Sequence, residues 1–105
     1  MNIVISEHRI QLNTAQKEYI TEKMETIIRH LGRISDKEST DIKVVITQED
    51  TKAEEDRFLC EVSLVLPKKH ILHCDNRSLS PEAAIDLCVE KLKKQVEKLR
   101  TKLIG

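Results

Sequence analysis

The chain has 105 residues, with 18 lysines and arginines against 18 aspartates and glutamates, so its formal net charge is zero. At 39% hydrophobic and 34% charged residues it is neither disordered nor membranous, and no run approaches the roughly 20 apolar residues that span a bilayer. With room for one modest core, a single domain over 1–105 is expected, and any attraction to a polyanion must come from sorted rather than net charge.

The opening MNIVISEHRI has neither a basic leader nor a long apolar segment, which predicts a cytoplasmic protein. Its NIVIS stretch, 2–6, is β-branched and predicts a first strand with Ile3 and Ile5 on one face. Asn13 and Thr14 offer capping oxygens, and apolar residues then recur at Tyr19, Ile20, Met24, Ile27, Ile28 and Leu31 before Gly32 stops the pattern. That predicts a helix over 14–31. DIKVVITQ at 41–48 and RFLCEVSLVL at 57–66 read as strands, the second alternating strictly through Phe58, Cys60, Val62, Leu64 and Leu66. The acidic stretch 49–56 between them reads as a solvated loop. Pro67, Lys68 and Lys69 make a tight connection to a fourth strand at 70–75, and Ser80 with Pro81 starts a last helix running to about 103. The order β-α-β-β-β-α predicts an α+β two-layer sandwich, a four-stranded sheet with both helices on one face.

The closing KLKKQVEKLRTKL carries six positive charges among its seven, and projection at about 100° per residue sorts them. Ile85, Cys88, Val89, Leu92, Val96, Leu99 and Leu103 form an apolar stripe. Lys91, Lys94, Lys98 and Lys102 form a second stripe uninterrupted by any acid, while Asp86, Glu90 and Glu97 lie on a third face where Lys93 and Arg100 pair with them. Cations gain a little near a helix C-terminus, but like charges at these spacings repel by tenths of a kcal/mol per pair. A polyanion converts that repulsion into attraction, so Lys91, Lys94, Lys98 and Lys102 are candidate RNA-binding residues. Lys23, at the edge of the first helix's apolar face near His30, is expected to share their groove; Lys17 and Arg29 are expected to be solvated.

With AAIDLCVEKLKKQVEKLRTKL closing a β-α-β-β-β-α chain, the sequence resembles the ribosome hibernation promoting factors and ribosome-associated translation inhibitors, also called sigma-factor modulation proteins. The resemblance covers the whole chain and is sharpest at Ala84, Ile85 and Asp86, then Lys91, Leu92, Lys94, Gln95, Val96 and Lys98. The chain ends directly after this helix, as in the short form without an added dimerisation domain. The resemblance implies a monomer that binds the small ribosomal subunit in the channel of messenger and transfer RNA, blocking initiation and protecting idle ribosomes. It implies that the basic groove between the helices meets ribosomal RNA through Lys23, Lys91, Lys94 and Lys98. Glu82 stands where an aromatic residue is usual and Thr26 where a basic one is usual, which makes the groove less basic.

Other chemistry finds little support. His70 and His73 fall on opposite faces of a strand, so they share no ion without a bulge. Cys60 and Cys88 lie on apolar faces, and three widely spaced cysteines, Cys74 included, fit reduced thiols better than a disulfide framework. No catalytic motif or cofactor-binding loop appears, so neither an enzyme nor a cofactor is expected. A general double-stranded RNA or transcription-associated binding module is the alternative, and a thiol enzyme or metal protein is disfavoured because the polar groups do not converge.

Overall fold

The computed structural model describes residues 2–32 and 40–103, without the side chains of Lys69 and Leu103, so the end of the apolar stripe at Leu103 lies outside the described residues. The elements are β1 (Asn2–His8), α1 (Thr14–Leu31), β2 (Asp41–Gln48), β3 (Phe58–Leu66), β4 (His70–Ser78) and α2 (Pro81–Leu103). The sheet order is β1-β2-β3-β4, with β1 parallel to β2 and the other pairs antiparallel. A parallel pair needs a crossover, and α1 supplies it. The expected α+β order and architecture are therefore those observed.

Local chemistry accounts for the boundaries. Asn13 caps α1 by accepting from the Gln16 N–H at 2.8 Å, and the Gln16 side chain accepts in return from the Asn13 N–H at 3.0 Å, a reciprocal capping box. Gly32 ends α1 with φ at 54°, a value that a side chain resists. Ser80 Oγ accepts from the Ala83 N–H at 3.1 Å and its carbonyl from the Ala84 N–H at 3.0 Å, so Pro81 begins α2 where its missing donor costs nothing. β1 and β4 run past their predicted ends, to His8 and Ser78. The added Asn76, Arg77 and Ser78 have weak strand preference, but they pair with Cys60, Leu59 and Phe58, and pairing overrides propensity. Within the acidic loop, Glu54–Asp56 form a short 3-10 turn.

The core lies between the layers. Ile42, Val44, Ile46, Cys60, Val62, Leu64, Leu66 and Cys74 from the sheet meet Ile20, Met24, Ile27, Ile28 and Leu31 of α1 and Ile85, Cys88, Val89, Leu92 and Val96 of α2, all buried. By register, His73 falls on the outer face and His70 on the inner one. Two contacts along α2 set up its two flanks. α2 packs over β3 and β4, while its other border meets α1, which runs in the same direction, since Gln16 meets Glu82 and Tyr19 meets Asp86.

Candidate nucleic-acid interface

Because one apolar stripe of α2 faces the sheet, the side chains bordering it face either α1 or the β4 edge. On the β4 border, Lys91 Nζ donates to Asn76 Oδ1 at 2.7 Å and to the Asp75 carbonyl at 3.4 Å, and one turn on, Gln95 Nε2 donates to the His73 carbonyl at 3.1 Å. Carbonyls at 73 and 75 point the same way along a strand, so these two side chains cap the sheet's outer edge. Lys94, Lys98 and Lys102 follow on this flank at helical spacing. All three are exposed, and among the described residues none has an ion-pair partner. Neighbouring Cβ positions three and four apart lie about 5–6 Å from one another, so the stripe is a continuous line of positive charge.

The border facing α1 is different. Gln16 Nε2 donates to Glu82 Oε1 at 2.8 Å, and the Tyr19 hydroxyl donates to Asp86 Oδ1 at 2.5 Å. Lys23 Nζ lies 3.4 Å from the same Oδ1 and 5.4 Å from the Tyr19 ring centroid. Contact with Asp86 holds the Lys23 ammonium above its ordinary pKa and, through the hydrogen bond, the Tyr19 phenol above its own. Further along α2, Lys93 pairs with Glu90 at 3.8 Å and Arg100 with Glu97 at 3.4 Å, as the spacing predicts. This border is polar and charge-balanced.

Lys23 and the lysine stripe therefore do not share a groove, contrary to the sequence expectation. The physical reason is the width of the helix: α1 occupies one border of the apolar stripe and β4 the other, so Lys23 and Lys91 lie on opposite sides of α2. Glu82, in place of an aromatic residue, joins the helices through Gln16. The Thr26 hydroxyl donates to the Glu22 carbonyl at 3.0 Å and accepts from Arg29 Nη2 at 3.2 Å. Lys17 is not merely solvated but reaches Glu7 on β1 at 3.2 Å.

Two further constellations bear on chemistry. Ser63 Oγ lies 3.0 Å from His73 Nδ1, and His73 Nε2 lies 3.9 Å from Asp75 Oδ2, on the outer sheet face. Strand spacing places 73 and 75 together and the β3–β4 register adds Ser63, a juxtaposition that sequence reading missed. A proton relay needs the carboxylate within hydrogen-bond reach of the imidazole, and the 3.9 Å gap denies it. Cys60, Cys74 and Cys88 are free and buried. Burial pushes the Cys74 thiol up to about 12, and Cys88 is also raised, by its hydrogen-bonded contact with Cys60 and then by burial. Neutral thiols are poor nucleophiles and poor ligands. Among the described residues no group of three or more metal-capable side chains converges, and no helix is long and apolar enough to cross a membrane.

The chain thus folds as a two-layer β-α-β-β-β-α unit with a basic flank on its last helix, and its sequence places it in a family. The chain belongs to the Sigma 54 modulation protein / S30EA ribosomal protein family, whose model matches residues 3–104. Among solved structures it is similar to the Protein Y N-terminal domain of Thermus thermophilus, with a TM-score of 0.77 and 23% identity over 95% of this chain and 100% of that one. It is also similar to a ribosomal subunit interface protein from Coxiella burnetii, with a TM-score of 0.70 and 17% identity over 96% of this chain and 99% of that one. At such identities the two structures establish the likeness of fold. No curated protein matches the chain in sequence.

Proposed function

We propose that this protein is a cytoplasmic translation inhibitor that binds the small ribosomal subunit in the channel used by messenger and transfer RNA, and so keeps idle ribosomes intact. Membership of a ribosome-associated family supports the ribosome as partner. The single observation that carries the contact is the α2 flank, where Lys94, Lys98 and Lys102 stand exposed beside Lys91 with no ion-pair partner among the described residues. Phosphates attract such a line without reading sequence, and so they orient the protein rather than specify bases. Lys23 contributes least, because its charge is already met by Asp86. The protein acts as a single domain over 1–105 and a monomer off the ribosome, and it inhibits by occupancy, with no cofactor and no turnover.

Labelled protein bound to small subunits, titrated with messenger and initiator transfer RNA, tests the shared channel. Occupancy should fall as both RNAs approach saturation. Full occupancy at saturation would place the site elsewhere on the subunit, and equal affinity for naked duplex RNA would favour a general RNA-binding module.

A further inference from the structure

The interhelical groove holds a carboxylate where a phosphate-binding surface gains nothing from one. Asp86 Oδ1 takes the Tyr19 hydroxyl at 2.5 Å and the Lys23 ammonium at 3.4 Å, so two donors from α1 fix a single oxygen of α2. The ammonium also lies over the Tyr19 ring, 5.4 Å from its centroid. The side chains of Lys23 and Asp86 are 37% and 48% exposed, so an incoming phosphate can reach both. It would meet the anion beside the cation. Lys93 and Arg100, the cations of α2 on this side, are paired with Glu90 and Glu97. On the opposite flank, Lys94, Lys98 and Lys102 have no such partners among the described residues.

We propose that Asp86 is a specificity-determining residue of the RNA interface: by neutralising Lys23 it keeps the groove between the helices from taking phosphate, and so confines RNA to the lysine flank of α2. This rests on the reading that the flank binds ribosomal RNA. The chemistry is that of repulsion built against a wrong partner. A protein with two basic surfaces would hold duplex RNA in several orientations, whereas one with a single basic line accepts the backbone in one. Tyr19 secures the arrangement because its hydroxyl fixes the rotamer of Asp86, and its ring gives Lys23 a face to rest on.

The test is a cycle of Asp86→Asn, Lys23→Gln and the double variant, each measured for binding to small subunits and to a non-ribosomal RNA duplex across a salt series. Asparagine keeps an oxygen for Tyr19 and removes only the charge. Asp86→Asn should bind the duplex more tightly and steepen its log-log salt slope by about 0.7–0.9, one added phosphate, so a roughly fourfold rise in salt removes about threefold more affinity than for wild type. Adding Lys23→Gln should return the slope to the wild-type value. The preference for subunits over duplex should fall in Asp86→Asn and recover in the double variant. Lys23→Gln alone should leave the slope unchanged, a result that does not depend on how well Asp86→Asn folds. A shallower slope in Lys23→Gln, or an unchanged slope in a folded Asp86→Asn, overturns the proposal. Failure of the parent reading looks different: wild-type protein would not bind small subunits, or loss of Lys94, Lys98 and Lys102 would leave binding intact.

Discussion

The two flanks of α2 both border cations, yet they offer opposite prospects for a polyanion. On the border toward α1, Lys23 of α1 and Lys93 and Arg100 of α2 stand at 3.4, 3.8 and 3.4 Å from Asp86, Glu90 and Glu97. Facing β4, Lys91 donates to neutral oxygens, and Lys94, Lys98 and Lys102 reach no acid among the described residues. The number of lysines therefore does not set the local field; the placement of the acids does. In a chain whose charges sum to zero, every glutamate or aspartate kept off one flank is available to neutralise another. This sorting gives an RNA binder an oriented contact without a general attraction to all RNA.

The largest expected effect comes from reversing the flank that carries the field. Lys94, Lys98 and Lys102 changed together to glutamate should lower affinity for small subunits on the order of a hundredfold or more and flatten the salt slope by about two to three contacts. None of the three is buried, so the fold should survive, with some loss because anions are unfavourable at a helix C-terminus. A glutamine version of the same triple variant, free of that penalty, should still lose most of the binding. Lys93→Gln with Arg100→Gln is the matched control and should stay within about twofold of wild type, since exposed ion pairs contribute little. Equal losses in the two sets would erase the distinction between the flanks.

Within the basic flank, Lys91 differs from its neighbours. Its ammonium, with Gln95, caps carbonyls of β4 at the sheet edge. Lys91→Ala should therefore cost roughly 0.5–1 kcal/mol in urea unfolding, whereas Lys94→Ala, which loses no hydrogen bond, should stay within about 0.3 kcal/mol. Equal costs would mean that Lys91 is as free as the rest of the stripe, and its share of phosphate binding would rise accordingly.

Much of this was legible in the sequence. Residues 14–31 and 41–48 carry their periodicity and boundary residues plainly, and α1 and β2 match those limits. The three faces of α2 follow from helical spacing alone. What spacing leaves open is the neighbour on each border: a wheel shows an apolar stripe with two edges but not which edge meets α1 and which meets β4. That is why Lys23 and the stripe look like one groove in sequence and stand on opposite sides in space. A signal was nevertheless present. Asp86 has no base three or four residues away, where Ala83, Val89, Glu82 and Glu90 stand, and Lys23 likewise has no acid at Tyr19, Ile20, Thr26 or Ile27. An acid and a base, each without a local partner on amphipathic helices that share one core, point to one another.

The smallest effect is spectroscopic, and it reports the charge-balanced flank without any RNA. Tyr19 is the only tyrosine and the chain has no tryptophan, so the ultraviolet absorbance of tyrosinate reads one contact. The hydrogen bond to Asp86, then burial, raise the Tyr19 phenol above the ordinary phenol value of 10.0, while Lys23 opposes them. A phenol whose folded pKa is raised holds its proton more tightly in the folded state. The stabilisation is thus fully present below the unfolded pKa and is lost as pH rises through the folded one. Wild-type protein should titrate above denatured protein in a spectrophotometric curve at alkaline pH. Removing each neighbour should move the curve in opposite directions: Asp86→Asn lowers it toward 10.0, because the hydroxyl no longer donates to a carboxylate, and Lys23→Gln raises it further, because the nearby cation that favours the phenolate is gone. Coincident curves for wild type and Asp86→Asn would mean that the contact joining α1 to α2 does not persist in solution. Lys23 would then stand free beside the stripe's opposite flank, and the protein would present two basic surfaces rather than one.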